Sequence, residues 1–389
     1  MRLRLPNFDR PRRIALALGV ILLVAGVLLA VFGARAATPV PGVTVAGATA
    51  PELHYVRSLP DAGDPDLNRP VGLALDAEYL YVADSGAGVV RRFRISGPDA
   101  GEIGRDILRV PADVARDADA GTILVADREL NKVLRFDEDG APLGEILPSA
   151  DASATWQPLG IAADGEGAIA VAETSERHQV LIMDRAGQIL HTLGGPLGTS
   201  DAGNVAVALD YPSGVVFRGD ELWVGDSNNQ RVVVFGVDGE LRDIVRVEGV
   251  SRGVTFLESA DGSAGAGEWY AVLVDALASD IVVLDSEGAV IAHFGGPGST
   301  AGRLAYPNDA VYDPASAQLF IADTGNARVQ VWSVVLPGQA EELTPLEIAR
   351  SLSAAQVAGI VIALLGAIVS AVALWPRRVG VAGAGRTRG

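Results

Sequence analysis

The chain has 389 residues, a formal net charge of −17 and no cysteine. Without cysteine it can form no disulfide bond, no iron–sulfur cluster and no thiolate metal site. Its two ends carry a surplus of nine positive charges, which leaves about −26 on the middle and disfavours nucleic-acid binding, because affinity for phosphate backbones depends on Lys and Arg.

The first predicted element is an apolar helix that follows a basic N-terminus. Residues 14–33 are uncharged and long enough to cross the ~30 Å core of a bilayer, and the five arginines of residues 1–13 place that end in the cytoplasm. A cleaved signal peptide is the alternative, because residues 34–36, Ala-Arg-Ala, resemble a cleavage site. Residues 34–51 are small and proline-spaced and predict an extended linker.

Residues 52–335 repeat one unit six times. Each unit contains a strand that ends in an acidic residue, and consecutive acids are 43 to 53 residues apart, a period typical of propeller blades. A strand that begins with proline in five of the six units precedes the acid-ending strand. One or two further strands follow the acid-ending strand in each unit. The strand-final acids are Asp84, Asp127, Glu173, Asp226, Asp275 and Asp323.

A spare strand at residues 52–59 predicts how the ring closes. It precedes the first unit, whereas the sixth unit ends at Trp332 one strand short. Pairing of the two leaves no open sheet edge. The sequence therefore predicts an all-β fold, a six-bladed β-propeller.

The chain is predicted to end in a second membrane-spanning helix. Residues 336–356 contain Thr-Pro-Leu-Glu, the pattern of a helix start, and predict a juxtamembrane helix. Residues 357–375 are again uncharged and apolar, and the arginines of residues 376–389 make a basic cytoplasmic tail. The propeller would then lie on the extracellular or periplasmic side of the cell membrane.

The repeat resembles the NHL repeat. A Pro-x-Gly/Asp strand, a Val-Ala-Asp strand end, a polar turn with Asn and Arg and a Val-x-Val-Phe strand carry the resemblance, best at residues 226–232 and 323–329. The similarity covers residues 52–333 and is weakest in the fifth unit. It implies an NHL/TolB-like propeller that binds partners through its loop-rich face. No cofactor is predicted apart from the Ca²⁺ considered below.

The repeated acids are predicted to be structural. A catalytic group occurs once, whereas these acids recur in every unit, so we expect them to cap the tight turn by accepting backbone N–H bonds. The candidate ligand residues at the channel mouth are Asp113, Arg252, Asn308 and Asp309. Of these, Asp113 and Asp309 replace the repeat's glycine and could hold Ca²⁺, or could simply be solvated loop residues.

Three aromatic residues, Trp156, Tyr211 and Tyr306, precede inner strands. They either anchor a partner or wedge between blades. No catalytic residue is predicted. The favoured function is a membrane-anchored scaffold or sensor that binds an extracytoplasmic protein, peptide or glycan; the alternative is a metal-dependent hydrolase or lyase at the channel mouth.

Overall fold

The computed structural model describes residues 50–61, 66–95, 99–149, 156–195, 207–259 and 269–337. Within them lie 24 β-strands and two 3₁₀ turns, Ser227–Asn229 and Thr324–Asn326. No helix among these residues is long and apolar enough to cross a bilayer. The predicted membrane helices at residues 14–33 and 357–375, the tails that flank them, most of the linker and most of the juxtamembrane segment lie outside the described residues.

The strands form six four-stranded antiparallel sheets, one for each predicted unit. The inner strands are β2 (Pro70–Leu75), β6 (Pro111–Asp117), β10 (Pro158–Ala163), β14 (Pro212–Arg218), β18 (Ser251–Leu257) and β22 (Ala310–Asp313). The second strands are β3 (Tyr79–Asp84), β7 (Thr122–Asp127), β11 (Ala168–Glu173), β15 (Glu221–Asp226), β19 (Tyr270–Asp275) and β23 (Gln318–Asp323).

Two further strands complete each blade. The third strands are β4 (Val89–Arg94), β8 (Lys132–Asp137), β12 (Gln179–Asp184), β16 (Arg231–Gly236), β20 (Asp280–Leu284) and β24 (Arg328–Val335). The outer strands are β5 (Asp99–Ile103), β9 (Pro142–Ile146), β13 (Ile189–Gly194), β17 (Leu241–Arg246), β21 (Val290–Gly295) and, for the sixth blade, β1 (Glu52–Leu59).

The six blades form a closed ring. Each inner strand contacts the inner strands of both neighbouring blades, including β2 against β22. β1 pairs antiparallel with β24, from Glu52 opposite Val335 to Leu59 opposite Val329, so the N-terminal strand completes the last blade. The prediction of a six-bladed all-β propeller is confirmed.

The hydrophobic core consists of six clusters, each between two neighbouring blades. Every second strand is buried along nearly its whole length, because both of its faces pack against a blade. This explains why sequences such as Leu-Tyr-Val-Ala-Asp are continuously apolar rather than alternating.

Strand register defines two faces. Pro70 at the start of β2 lies opposite Asp84 at the end of β3, and the same pairing recurs in the second to fifth blades. The connections that enter the inner strands and the turns between second and third strands therefore share one face, called the upper face below. The remaining turns make the lower face.

Candidate functional site

A cavity of about 470 Å³ opens at the centre of the upper face. Its lining includes the predicted mouth residues Asp113, Arg252, Asn308 and Asp309, together with Tyr211 and Tyr306. Sequence reasoning thus selected six residues that the fold brings together from four blades. A cavity of this volume is large enough for a small ligand or the end of a peptide.

The floor of the cavity comes from the variable position of the repeated Pro-x-Gly/Asp segment. The residue at x lines the cavity in every blade, and the six are Val71, Ala112, Leu159, Ser213, Arg252 and Asn308 in chain order. The first three blades therefore supply apolar side chains and the last three supply polar ones. Since neighbouring blades are consecutive, the cavity has an apolar half and a polar half.

The position after x is glycine wherever the next blade's backbone approaches closely. A Cβ added to Gly160 would lie 1.9 Å from the Ser213 carbonyl oxygen, and one added to Gly214 would lie 2.3 Å from the Arg252 carbonyl oxygen. Real Cβ atoms never come so near to backbone, so close approach requires glycine at these two positions.

Asp113 and Asp309 occupy the same position in the second and sixth blades and join each blade to the next. Asp113 accepts backbone N–H bonds from Val114 within its own blade and from Ile161 in the third blade, both at 2.8 Å. Asp309 accepts the equivalent bonds from Ala310 and from Leu73 in the first blade, also at 2.8 Å. Both carboxylates thus link neighbouring inner strands around the channel.

Burial shifts the titration of both carboxyl groups. It raises the pKa of Asp309 to about 7, although the two N–H bonds that this carboxyl group accepts lower the pKa. Burial also raises the pKa of Asp113 well above its usual range, and the nearby charge of Asp309 raises it further. The two groups titrate as a pair, so near neutral pH they do not carry two full negative charges.

This geometry fits Ca²⁺ poorly. Ca²⁺ takes 6–8 oxygen ligands, and each oxygen of Asp113 and Asp309 already accepts a backbone N–H. Nowhere in the described part of the chain do three or more His, Cys, Asp or Glu side chains lie close enough to hold a metal ion. Ca²⁺ at these two aspartates stays a prediction.

Two arginines that sequence reasoning missed also line the cavity, Arg69 and Arg128. Arg69 directly precedes Pro70, just as Tyr211 and Tyr306 precede their prolines, and all three residues have positive φ, at 78°, 59° and 50°. This conformation is uncommon for residues with a side chain and is often found at functional sites. The shared position before the inner-strand proline is the signal that could have found Arg69.

Tyr211 is the centre of the polar half. The Arg252 guanidinium carbon lies 4.9 Å from the centre of its ring, and an Arg252 nitrogen donates to the Tyr306 hydroxyl at 3.5 Å. Burial alone would raise the pKa of Tyr211, but hydrogen bonding to Arg252 and the charges of Arg128 and Arg252 outweigh burial and lower it. Two guanidinium groups from different blades, those of Arg128 and Arg252, therefore lower the pKa of one phenol.

Trp156 does not belong to this surface. Only 3% of its surface is exposed, and it packs in the cluster between the second and third blades. Its position matches the wedge interpretation. Tyr306, in contrast, is 43% exposed at the cavity mouth.

The six strand-final acids are buried and tie the upper-face turns to the loops that enter the inner strands. Asp84, for example, accepts an N–H bond from Asn68 at 2.8 Å, and Asp127 accepts bonds from Arg109, Val110, Glu129 and Leu130. In the fourth and sixth blades, arginine side chains also donate to the strand-final acid. Arg231 donates to Asp226 and Arg328 donates to Asp323, both at 2.7 Å. Glu173 and Asp275 accept turn N–H bonds.

Comparison with known proteins agrees with this architecture. Residues 209–235, most of the fourth blade, match the model of the NHL repeat. NHL repeat-containing protein 2 of Gallus gallus is 29% identical over 109 residues, which are 28% of this chain and 14% of that protein. The chain therefore matches only a small part of the length of this relative.

Solved structures show the same fold at low identity. A gluconolactonase from Xanthomonas campestris has a TM-score of 0.55 and 16% identity over 77% of this chain and 99% of its own. An auxiliary nutrient binding protein from Bacteroides thetaiotaomicron has a TM-score of 0.54 and 13% identity over 75% and 78% of the two chains. With its repeat, the NHL model that its fourth blade matches and its six closed blades, the chain is similar to the NHL-repeat β-propellers.

Proposed function

We propose that the protein is a membrane-anchored binding propeller, displayed on the extracytoplasmic side, that takes a protein, peptide or glycan partner at the cavity of its upper face. One observation carries this proposal. The repeat makes the six blades alike, yet the residues that line the cavity differ from blade to blade, from Val71 and Ala112 to Arg252 and Asn308. Variation at one place in an otherwise repeated frame is expected of a recognition surface.

The chemistry of the cavity supports binding rather than catalysis. Both buried carboxyl groups, Asp113 and Asp309, are engaged by backbone N–H groups between blades. The described histidines lie outside the cavity lining, and His178 accepts the backbone N–H of Tyr211 at 3.3 Å. The enzymatic alternative, a metal-dependent hydrolase or lyase, gains no support from these contacts, and a shared fold with a gluconolactonase does not carry that activity over.

Site-directed photo-crosslinking in intact cells tests the proposal. The full chain carries a photoreactive phenylalanine derivative at Tyr306 on the upper face or, as the control, at Val237 on the lower face, where 37% of the side chain is exposed. We expect adducts from position 306 that are about ten-fold stronger than those from position 237, since a partner at the cavity contacts only the upper face. Equal adducts from both faces, or adducts from position 237 alone, would contradict the proposal.

A further inference from the structure

Three arginines, called the arginine rim below, line the cavity of a chain that is otherwise acidic. Arg69 enters the first blade, Arg128 lies in the turn after β7 in the second, and Arg252 lies in β18 of the fifth. The net charge of the whole chain is −17. Positive side chains that gather at one concave site against this background focus the local field on anions.

The charges of the rim are not neutralised as arginines elsewhere in the propeller are. Arg185, Arg231 and Arg328 lie 2.6 to 2.7 Å from buried aspartates. Arg69 and Arg128 are exposed, and neither forms an ion pair with a described residue. The acids of the cavity lining are exposed Glu129 and buried Asp113 and Asp309, and the two aspartates accept backbone N–H bonds rather than bonds from arginine.

Arg128 and Arg252 reach the same tyrosine from opposite parts of the ring. Both interact with Tyr211, although they come from the second and fifth blades. Holding two guanidinium groups near one phenol costs energy through the repulsion of like charges. An oxyanion between the two side chains would relieve this repulsion and accept N–H bonds from both guanidinium groups.

We propose that the arginine rim binds the oxyanion group, carboxylate or phosphate, of a small ligand or peptide end. This inference rests on the proposed function, because it names the chemistry that the same cavity recognises. Guanidinium groups bind carboxylate and phosphate oxygens in a bidentate manner, and Val71, Ala112 and Leu159 supply an apolar part of the cavity floor for the rest of the ligand. The negative charge of the surrounding propeller surface repels polyanions. The site should therefore prefer a ligand that carries one oxyanion group and is otherwise small or neutral.

Calorimetry on the full chain at pH 7 with matched probe pairs tests the inference. One pair is D-glucuronate and D-glucose, a second is an acetylated tripeptide with a free or an amidated C-terminus, and inorganic phosphate is titrated alone. The two members of each pair differ in charge but hardly in shape. Comparison of the two pairs distinguishes a sugar acid from a peptide C-terminus. We expect the charged member of at least one pair, or phosphate, to bind about ten-fold or more tightly than any neutral probe, with affinity that falls as salt rises.

Two double variants with the same change in charge give the control. Arg128→Gln with Arg252→Gln should weaken the charged probe about ten-fold or more, since each charge-assisted contact contributes on the order of a ten-fold factor. Arg94→Gln with Arg242→Gln, which removes two exposed lower-face arginines, should leave its affinity unchanged. Thermal unfolding of both variants verifies that they fold.

Three results would overturn the inference: no binding of any probe, equal binding of charged and neutral members, or equal affinity in the two double variants. The proposed function fails separately, because it depends on adducts from position 306. Adducts at position 306 without a preference for charged probes would leave the binding propeller intact and refute only its anion chemistry.

Discussion

At the scale of single residues, Asp113 and Asp309 show how a substitution in a repeat can act on structure. Each replaces a glycine and uses its carboxylate to accept an N–H bond from the following blade. The sequence singled out both residues because they break the pattern. It could not predict their partners, because the pairing of Asp309 with Leu73 spans 236 residues of chain and depends on ring closure.

The raised pKa of Asp309, about 7, predicts a pH dependence of stability. An unfolded aspartate has a pKa near 3.9, so between pH 4 and 7 the native state holds a proton that the unfolded state has lost. The free energy of unfolding should therefore fall as pH rises through this range, by on the order of 4 kcal/mol. Urea unfolding of the wild type at several pH values measures this fall, and Asp309→Asn should reduce it.

Exposed Asp139 offers the matched control, because Asp139→Asn makes the same chemical change at the lower face. It should leave the pH dependence as in the wild type. Titrating groups other than Asp113, which is coupled to Asp309, are common to all three proteins and cancel in the comparison. Equal slopes for Asp309→Asn and the wild type would refute the role given to this carboxyl group.

Gly160 tests the close approach of inner strands. Gly160→Ala should lower the free energy of unfolding by about 1–3 kcal/mol, because the new Cβ would meet the Ser213 carbonyl oxygen at 1.9 Å and the blades would have to separate. Gly219→Ala is the comparison: it has a φ of 57° but open space, so only about 1 kcal/mol of backbone strain is expected. Chemical denaturation distinguishes the two, and an unaffected Gly160→Ala protein would contradict the packing described.

At the scale of elements, the closing strand β1 is the best example of what could be predicted. The sequence left one strand without a blade and one blade without a strand, and the register of β1 against β24 confirms their pairing. The second strands were also predicted to the residue at their acidic ends, because burial on both faces leaves an uninterrupted apolar run. A local sequence pattern is sufficient to predict a strand where every blade repeats that pattern.

The cavity was only partly predictable, for a physical reason. Arg252 and Asn308 could be selected because they lie at a fixed position of the repeat, whereas Arg128 follows a strand-final acid and interacts with Tyr211 of another blade. The direction of a long side chain is set by the neighbours that the closed ring provides. Trp156 left two interpretations open because burial at a blade junction depends on the facing blade.

Leu59 at the end of β1 measures the contribution of closure. Its side chain is 1% exposed and packs between the sixth and first blades. Leu59→Ala should therefore cost about 2–5 kcal/mol of unfolding free energy through lost burial and a residual cavity. Val56→Ala in the same strand, at 43% exposure, should change stability little. Urea denaturation that finds both variants equally stable would show that β1 does not hold the ring closed.

At the scale of the whole molecule, the proposed display on the extracytoplasmic side depends on the two predicted membrane segments. The absence of native cysteine allows a labelling test without background. A membrane-impermeant maleimide should label Ala315→Cys, in an exposed turn of the propeller, on intact cells. Thr387→Cys in the basic tail should react only after permeabilisation, because the positive-inside rule predicts a cytoplasmic location for that tail. The reverse pattern would contradict the proposed topology.

The most direct test of the binding propeller compares crosslinking from position 306 in the two double arginine variants. If the upper-face cavity engages the partner, Arg128→Gln with Arg252→Gln should lower the adduct yield about ten-fold, while Arg94→Gln with Arg242→Gln should leave it unchanged. Equal yields in both variants, at equal expression and folding, would contradict the claim that the partner engages the arginines of the cavity mouth.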